Sequence, residues 1–261
     1  MNTRQRNLVI CLLTLGLLLS GCQSSTSPAP TLTPTPPVAL TMPGVVLYYP
    51  LNGDASDMSG NHNNGQVNGA TLTTDRFGVA DRAYYFDGVD DYIAFDPSKM
   101  PLGDSPRTIS AWVEADSYPP ELFPGLGSRP TVIGWGINDW DQLSEMQLVN
   151  GSLQFHTYSM INPSSSAVLE LGQWYHLAAV YTEGRASLYV NGVEEQYEAS
   201  QIDTPAGTGR VGTWPDPLQP PAGGWKNLGY FHGTLDDISL YNQALTAAQI
   251  KALYTEGGWG E

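Results

Sequence analysis

The stretch Thr108-Ile109-Ser110-Ala111-Trp112-Val113-Glu114 alternates. Ile109, Ala111 and Val113 are apolar or small, and a period of two puts them on one buried face of a β-strand. Similar short runs flank it on both sides. Residues 45–49, 83–86, 92–95, 131–135, 145–149 and 153–158 read as strands, as do 174–181, 186–190, 193–197 and 235–241. Asn150-Gly151 and Asn191-Gly192 sit between apolar runs, and Asn-Gly suits a type I′ hairpin turn because both central residues need positive φ. Many short strands without intervening helices give an all-β fold, a β-sandwich or jelly roll. One short C-terminal helix is marked by the capping box Thr246-Ala247-Ala248-Gln249, with Leu245 and Ile250 placed as a hydrophobic staple.

The N-terminus belongs to a different regime. Arg4 and Arg6 precede an apolar run over 8–19, broken by Thr14 and Gly16. Twelve residues are too few for a span of about 20, and they fit the core of a secretory signal. The run ends in Leu19-Ser20-Gly21-Cys22, which resembles the lipobox of bacterial lipoproteins. That resemblance implies a signal peptide over 1–21, lipidation at Cys22, and a membrane anchor for an exported, surface-exposed protein. Cys11 and Cys22 are the only cysteines, so the mature domain is expected to fold without a disulfide.

Six of the 21 residues in 23–43 are Pro and eight are Ser or Thr. With no charge and no aromatic residue, 22–43 reads as the lipidated Cys and a Pro/Ser/Thr-rich linker, and 44–261 as one domain. Without Arg4 and Arg6 the chain has 9 basic and 26 acidic residues, a net charge of −17. Such a surface disfavours nucleic acid and leaves cations and neutral ligands such as sugars as partners.

Further motifs occur in a fixed order. Tyr49-Pro50-Leu51-Asn52-Gly53 leads into Asp57-Met58-Ser59-Gly60-Asn61-His62-Asn63-Asn64-Gly65, then Tyr85-Phe86-Asp87-Gly88-Val89-Asp90-Asp91-Tyr92-Ile93. Gln173-Trp174-Tyr175-His176-Leu177-Ala178 and Leu188-Tyr189-Val190-Asn191-Gly192 follow, and Gly233-Thr234-Leu235-Asp236-Asp237-Ile238-Ser239-Leu240-Tyr241 closes the series. Together they resemble the LamG-like, concanavalin A-like jelly rolls of bacterial surface proteins. The resemblance implies a two-sheet antiparallel jelly-roll sandwich with a concave face, often a structural Ca²⁺, and functions ranging from sugar binding to adhesion to attachment on enzymes. The fold alone does not choose among these.

Three kinds of chemistry deserve residue-level inspection. Calcium needs six to eight oxygen ligands. The loop 51–65 offers Asp54, Asp57, Ser59, Asn61 and Asn63, but counted from Asp57 it has His62 and Asn68 where an EF-hand needs Gly and Glu. The family resemblance suggests Asp57 paired with an acid of Asp236-Asp237; since neighbours on a strand face opposite ways, Asp237 is the choice. The competing reading makes Asp57 and Asn61 Asx-turn residues. For catalysis, Glu114-Ala115-Asp116 is the nearest approach to a glycosidase acid pair, but Pro119-Pro120 follows and the next acid is Glu121, so no enzyme is expected. The four histidines show no His-Glu-x-x-His spacing. For sugars, Trp140 lies with Asp139 in one loop, Trp225 lies in another, and His156 and Tyr158 follow the Asn150-Gly151 turn. Asp139, Trp140 and Trp225 are the expected ligand groove, against the alternative that these tryptophans staple loops to the sandwich. Trp112 and Trp174 read as core. The expectation is a non-catalytic carbohydrate-binding module, with an adhesive protein–protein module as the alternative.

Overall fold

The computed structural model describes residues 36–118, 129–215 and 229–259. Cys22, the signal segment and Trp225 lie outside the described residues. So do Pro119-Pro120 and Glu121.

Among the described residues fifteen strands form two sheets, and every pairing between these strands is antiparallel. The first sheet runs β13 (Val193–Glu198), β12 (Arg185–Val190), β11 (Trp174–Thr182), β6 (Arg107–Ser117), β15 (His232–Tyr241), β4 (Ala83–Asp87) and β3 (Thr71–Thr73). β1 (Val45–Tyr49) pairs with the later half of β15. The second sheet runs β10 (Ser164–Val168), β9 (Ser152–His156), β8 (Leu143–Val149), β7 (Thr131–Gly136), β14 (Thr208–Val211), β5 (Tyr92–Phe95) and β2 (Gln66–Asn68). Both Asn-Gly turns have positive φ at each residue, 50° and 86° at Asn150-Gly151 and 51° and 74° at Asn191-Gly192, as a type I′ turn requires.

The core lies between the sheets. Ile109, Ala111 and Val113 of β6 face Ile133, Met146, Phe155 and Val211 of the second sheet within one buried cluster. The other face of β6 is also covered. The short helix α1 (Val38–Thr41) and α2 (Ala247–Tyr254) lie over the first sheet with a second cluster containing Tyr48, Ala178, Val180, Tyr189, Tyr241, Ile250 and Leu253. Trp112 is buried on that outer side, stacked on Tyr254 at 5.9 Å and close to Trp259 at 5.1 Å. His176 stands beside it, fully buried, and burial together with Arg76 pushes its pKa down to about 3. Trp174, expected in the core, is half-buried at the start of β11 and pairs with Glu114.

The helix α2 has the full capping box, with Thr246 and Gln249 bonded reciprocally. Residues 36–43 fall in the stretch whose composition marks a linker, yet they are packed. Ala39 is buried, its carbonyl accepts from the Tyr241 hydroxyl, and the Val38 amide donates to Glu256 Oε1 at 2.8 Å. Val38, Ala39, Leu40 and Met42 are an apolar run among the prolines, and they find an apolar face to cover. Among the described residues no helix is long and apolar enough to cross a membrane.

Candidate functional site

The second sheet is two-faced by strict alternation. The rung Val67–Ile93–Val211–Ile133–Met146–Phe155 packs into the core. One residue along, the rung Gln66–Ala94–Arg210–Gly134–Glu145–His156 points the other way. A one-residue offset therefore turns an apolar row into a polar one.

Glu145 is fully buried and accepts from the Thr131 hydroxyl. His156 Nδ1 lies 2.9 Å from Glu145 Oε2, so the carboxylate fixes the orientation of the imidazole. Gln147, two residues beyond Glu145 in β8, donates to Gln154 Oε1 at 2.6 Å, while its own Oε1 is buried without a partner. Arg210 lays its guanidinium over the Tyr92 ring, 4.2 Å from the centroid, and its Nε is also buried without a partner.

An aromatic edge continues this row. Tyr158, with φ of 56°, follows β9 and meets the His156 ring edge-on at 6.1 Å. Trp140 meets Tyr158 in the same way at 6.1 Å. Trp140 sits in the tight β7–β8 connection, which is closed by Ile137 N–H to Gln142 O and Gln142 N–H to Asp139 O. The Asp139 carboxylate accepts the Trp140 amide at 2.7 Å. Trp140 is 59% exposed and Tyr158 40% exposed, and Ile137, Met160 and Ile161 are exposed beside them in sequence. Trp140 therefore does not staple its loop to the sandwich. At the opposite end of the rung, Gln66 and Ala94 help line a shallow depression with His62, Asn63, Asp96 and Lys99.

The expected calcium residues are placed differently from the sequence reading. Asp57 is buried, and its two oxygens accept from the amides of Tyr48, Ser59 and Asn63 and from the Ser59 hydroxyl. Burial alone would raise its pKa, but those donors outweigh it and hold the carboxyl below its ordinary range. Asp237 accepts from the Tyr48 hydroxyl at 2.7 Å and pairs with Arg76 at 2.7 Å. The two acids thus bond to opposite ends of Tyr48, and donors already fill the Asp57 oxygens that a cation would need. That donor set does not fit a calcium ion. The reading of Asp236 and Asp237 on opposite faces also needs correction. Register slips between Asp236 and Ser239, with Asp237 at φ 44°, and the bulge turns both carboxylates onto the buried Arg76. Elsewhere, Asp87, Asp90 and Asp91 bring carboxylate oxygens within 4.8 Å of one another, the one such cluster among the described residues. Glu114 and Asp116 lie on β6 in the first sheet, remote in topology from the polar rung; burial, then Asp116, raises the Glu114 pKa.

The sequence reading joined Asp139 and Trp140 correctly to one loop but missed Glu145, Gln147 and Arg210. The first two carry a signal, since Glu145-Met146-Gln147-Leu148 alternates polar and apolar. Arg210 has almost none, because the strand Thr208–Val211 has four residues and Val211 is its one apolar side chain.

A family profile described as the concanavalin A-like lectin/glucanases superfamily matches residues 87–251. No curated protein matches the chain. Among solved structures, domain 4 of AbnA, a GH43 extracellular arabinanase from Geobacillus stearothermophilus in complex with arabinotriose, is similar. Its TM-score is 0.59 and identity 21%, over 81% of this chain and 98% of that one. The binding domain of Paraclostridial Mosquitocidal Protein 1 gives 0.61 at 18% identity, over 81% of this chain and 52% of that one. A mutant of Trypanosoma rangeli sialidase displaying trans-sialidase activity gives 0.57 at 17%, over 81% and 32%. The chain thus spans a whole arabinanase domain but only half or a third of the other two.

Proposed function

The chain belongs to the concanavalin A-like lectin/glucanases superfamily, and on that premise we propose that it is a non-catalytic carbohydrate-binding module displayed on a lipid anchor. The observation that carries this reading is the exposed Trp140–Tyr158 pair, set edge to edge with His156 at the end of a polar sheet face. Sugar rings have apolar C–H faces and a hydroxyl rim. An exposed aromatic pair takes the faces, and the exposed Asp139 beside Trp140 serves the rim. The lack of catalysis is supported by Glu145, the one acid on the polar rung, whose oxygens are spent on Thr131 and His156. A glycosidase needs two carboxyls flanking the bond it breaks.

Glycan-array binding of the intact chain, repeated with Trp140→Ala and Tyr158→Ala, tests this. Both substitutions should reduce binding at least tenfold while leaving thermal unfolding nearly unchanged. Binding that survives both would place the site elsewhere, and sugar release from the bound polysaccharide would overturn the non-catalytic reading. The second reading, adhesion to a protein, is favoured by the exposed apolar residues Ile137, Met160 and Ile161 near the aromatic pair. An empty glycan array, together with cell adhesion that is lost on Trp140→Ala, selects it. The anchor is supported by Leu19-Ser20-Gly21-Cys22, and Cys22→Ala should release the protein from the membrane fraction.

A further inference from the structure

The exposed aromatic pair stands in one-sided charge. Four connecting segments meet at that end of the sandwich: 101–106, 137–142, 157–163 and 200–206. Asp203 N–H donates to Asp141 O at 2.7 Å, Asp141 N–H to Tyr158 O at 3.4 Å, and Gly103 N–H to Thr204 O at 2.8 Å. These segments hold Asp104, Asp139, Asp141 and Asp203, and no Lys, Arg or Glu. Asp104, Asp139 and Asp203 are exposed, as Trp140 and Tyr158 are, whereas Glu145 is closed off from solvent.

Arg107, at the start of β6, ties two of these segments together. It is fully buried, and burial lowers its pKa to about 10. Its guanidinium donates to the Gly103 and Ser105 carbonyls and to the Ser144 and Thr204 hydroxyls, so it presents nothing to a ligand. An anion at the aromatic pair would therefore meet carboxylates without a compensating cation, and the net charge of −15 repels it at long range. A metal ion needs several oxygens converging on one point. Among the described residues only Asp87, Asp90 and Asp91 bring three such groups together, and none of them belongs to this end. What fits is an organic cation with an apolar body. Aromatic faces attract a cation through the ring quadrupole and pack on C–H surface, and exposed carboxylates take an ammonium in charge-assisted hydrogen bonds.

We infer that the glycan held at Trp140 and Tyr158 carries a primary ammonium, as an amino sugar does when it bears no acetyl group. This rests on the glycan reading above and assigns its ligand class. The two rings take the sugar faces. Asp139, whose Oδ1 receives the Trp140 amide at 2.7 Å, takes the ammonium beside them. Asp203, bonded through its amide to the residue after Trp140, is the second carboxylate in reach of the same loop. The acetylated sugar has the same ring but an uncharged amide, so it gains the stacking and forgoes the ion pair.

The test uses gluco- and galacto-configured tetramers, each with a hydroxyl, an N-acetyl group or a free amine at the same ring carbon. Affinities are measured by calorimetry with the intact chain in mildly acidic buffer, where the amine is protonated and the carboxylates stay ionised. At least one amine form should bind ten times or more tighter than its hydroxyl and N-acetyl counterparts, and added salt should shrink that ratio. Asp139→Asn, whose side-chain oxygen still accepts the Trp140 amide, should cut the ratio at least threefold, and adding Asp203→Asn should bring it near one. Glu170→Gln removes an exposed charge in another loop and should leave the ratio at the wild-type value. Equal affinity for the three forms overturns the inference, and if that common binding is lost in Trp140→Ala the glycan reading stands. Tetralysine binding as tightly as the amine tetramer shows attraction to any cation and also overturns it. If no tetramer binds, both fall.

Discussion

Asp57 illustrates how a single carboxylate holds a loop to a sheet. It gathers the amides of Tyr48, Ser59 and Asn63, which belong to a strand and to the polar loop that follows it. Asn63 then clasps Asp96 with both ends of its amide. Asp57→Ala leaves three amides short of an acceptor, and we expect a loss of about 3 kcal/mol in urea unfolding. The loss should be equal in calcium and in chelator. Because the folded pKa is depressed, the stability from ionised Asp57 is complete above the ordinary carboxylate range and fades as pH falls through the folded value. Wild type should therefore lose more stability than Asp57→Ala on acidification below about pH 4.

Arg76 makes the opposite case. Its guanidinium lies between Phe77 and Trp112 and bonds Asp236 at 2.5 Å. Burial and the adjacent Asp237 push the Asp236 pKa up, against the pull of Arg76. Arg76→Met leaves Asp236 buried without its cation, which costs about 3–5 kcal/mol. Ionising that carboxyl is the penalty, so the destabilisation should grow as pH rises through about 8, the folded value of Asp236, and shrink below it, where Asp236 holds its proton. A pH-independent loss in thermal unfolding would contradict this.

At the scale of elements, alternation and turn chemistry made most of the strands legible. Ile109, Ala111 and Val113 are core, both Asn-Gly hairpins form, and the Thr246 capping box starts the one long helix. β2, β3, β10 and β14 escaped, because three to five residues rich in Ser, Thr, Asn and Gly carry no period, and their pairing is imposed by neighbours. The bulge at Asp237 escaped for a related reason: its positive φ is set by tertiary register, not by a glycine. α1 was hidden in a Pro/Ser/Thr-rich context, although its packing is plain once α2 is in place. This gives a direct check. A chain beginning at residue 44 should melt several degrees below one beginning at residue 36, since it uncovers Tyr241 and frees Glu256. Equal melting would mean that α1 contributes nothing.

For the molecule as a whole, the two sheets divide the work. The first is covered on its outer side by α1, α2 and the Trp112 cluster, which leaves little of that area to a ligand. The second carries a buried polar row through Glu145 and Gln147 and, at the end of that row, the exposed aromatic edge of Trp140 and Tyr158. Of this site, the sequence revealed Trp140 and Asp139 through an aromatic residue in polar company. The polar rung behind them became visible only through strand pairing, which aligns residues from six segments of chain. The most direct test of this division is chemical-shift mapping with the tightest-binding oligosaccharide. The perturbed signals should be the Trp140 indole N–H and the Trp140, Tyr158 and His156 amides. Perturbations confined to the first sheet, around Trp174, Glu114 and Tyr85, would contradict the account.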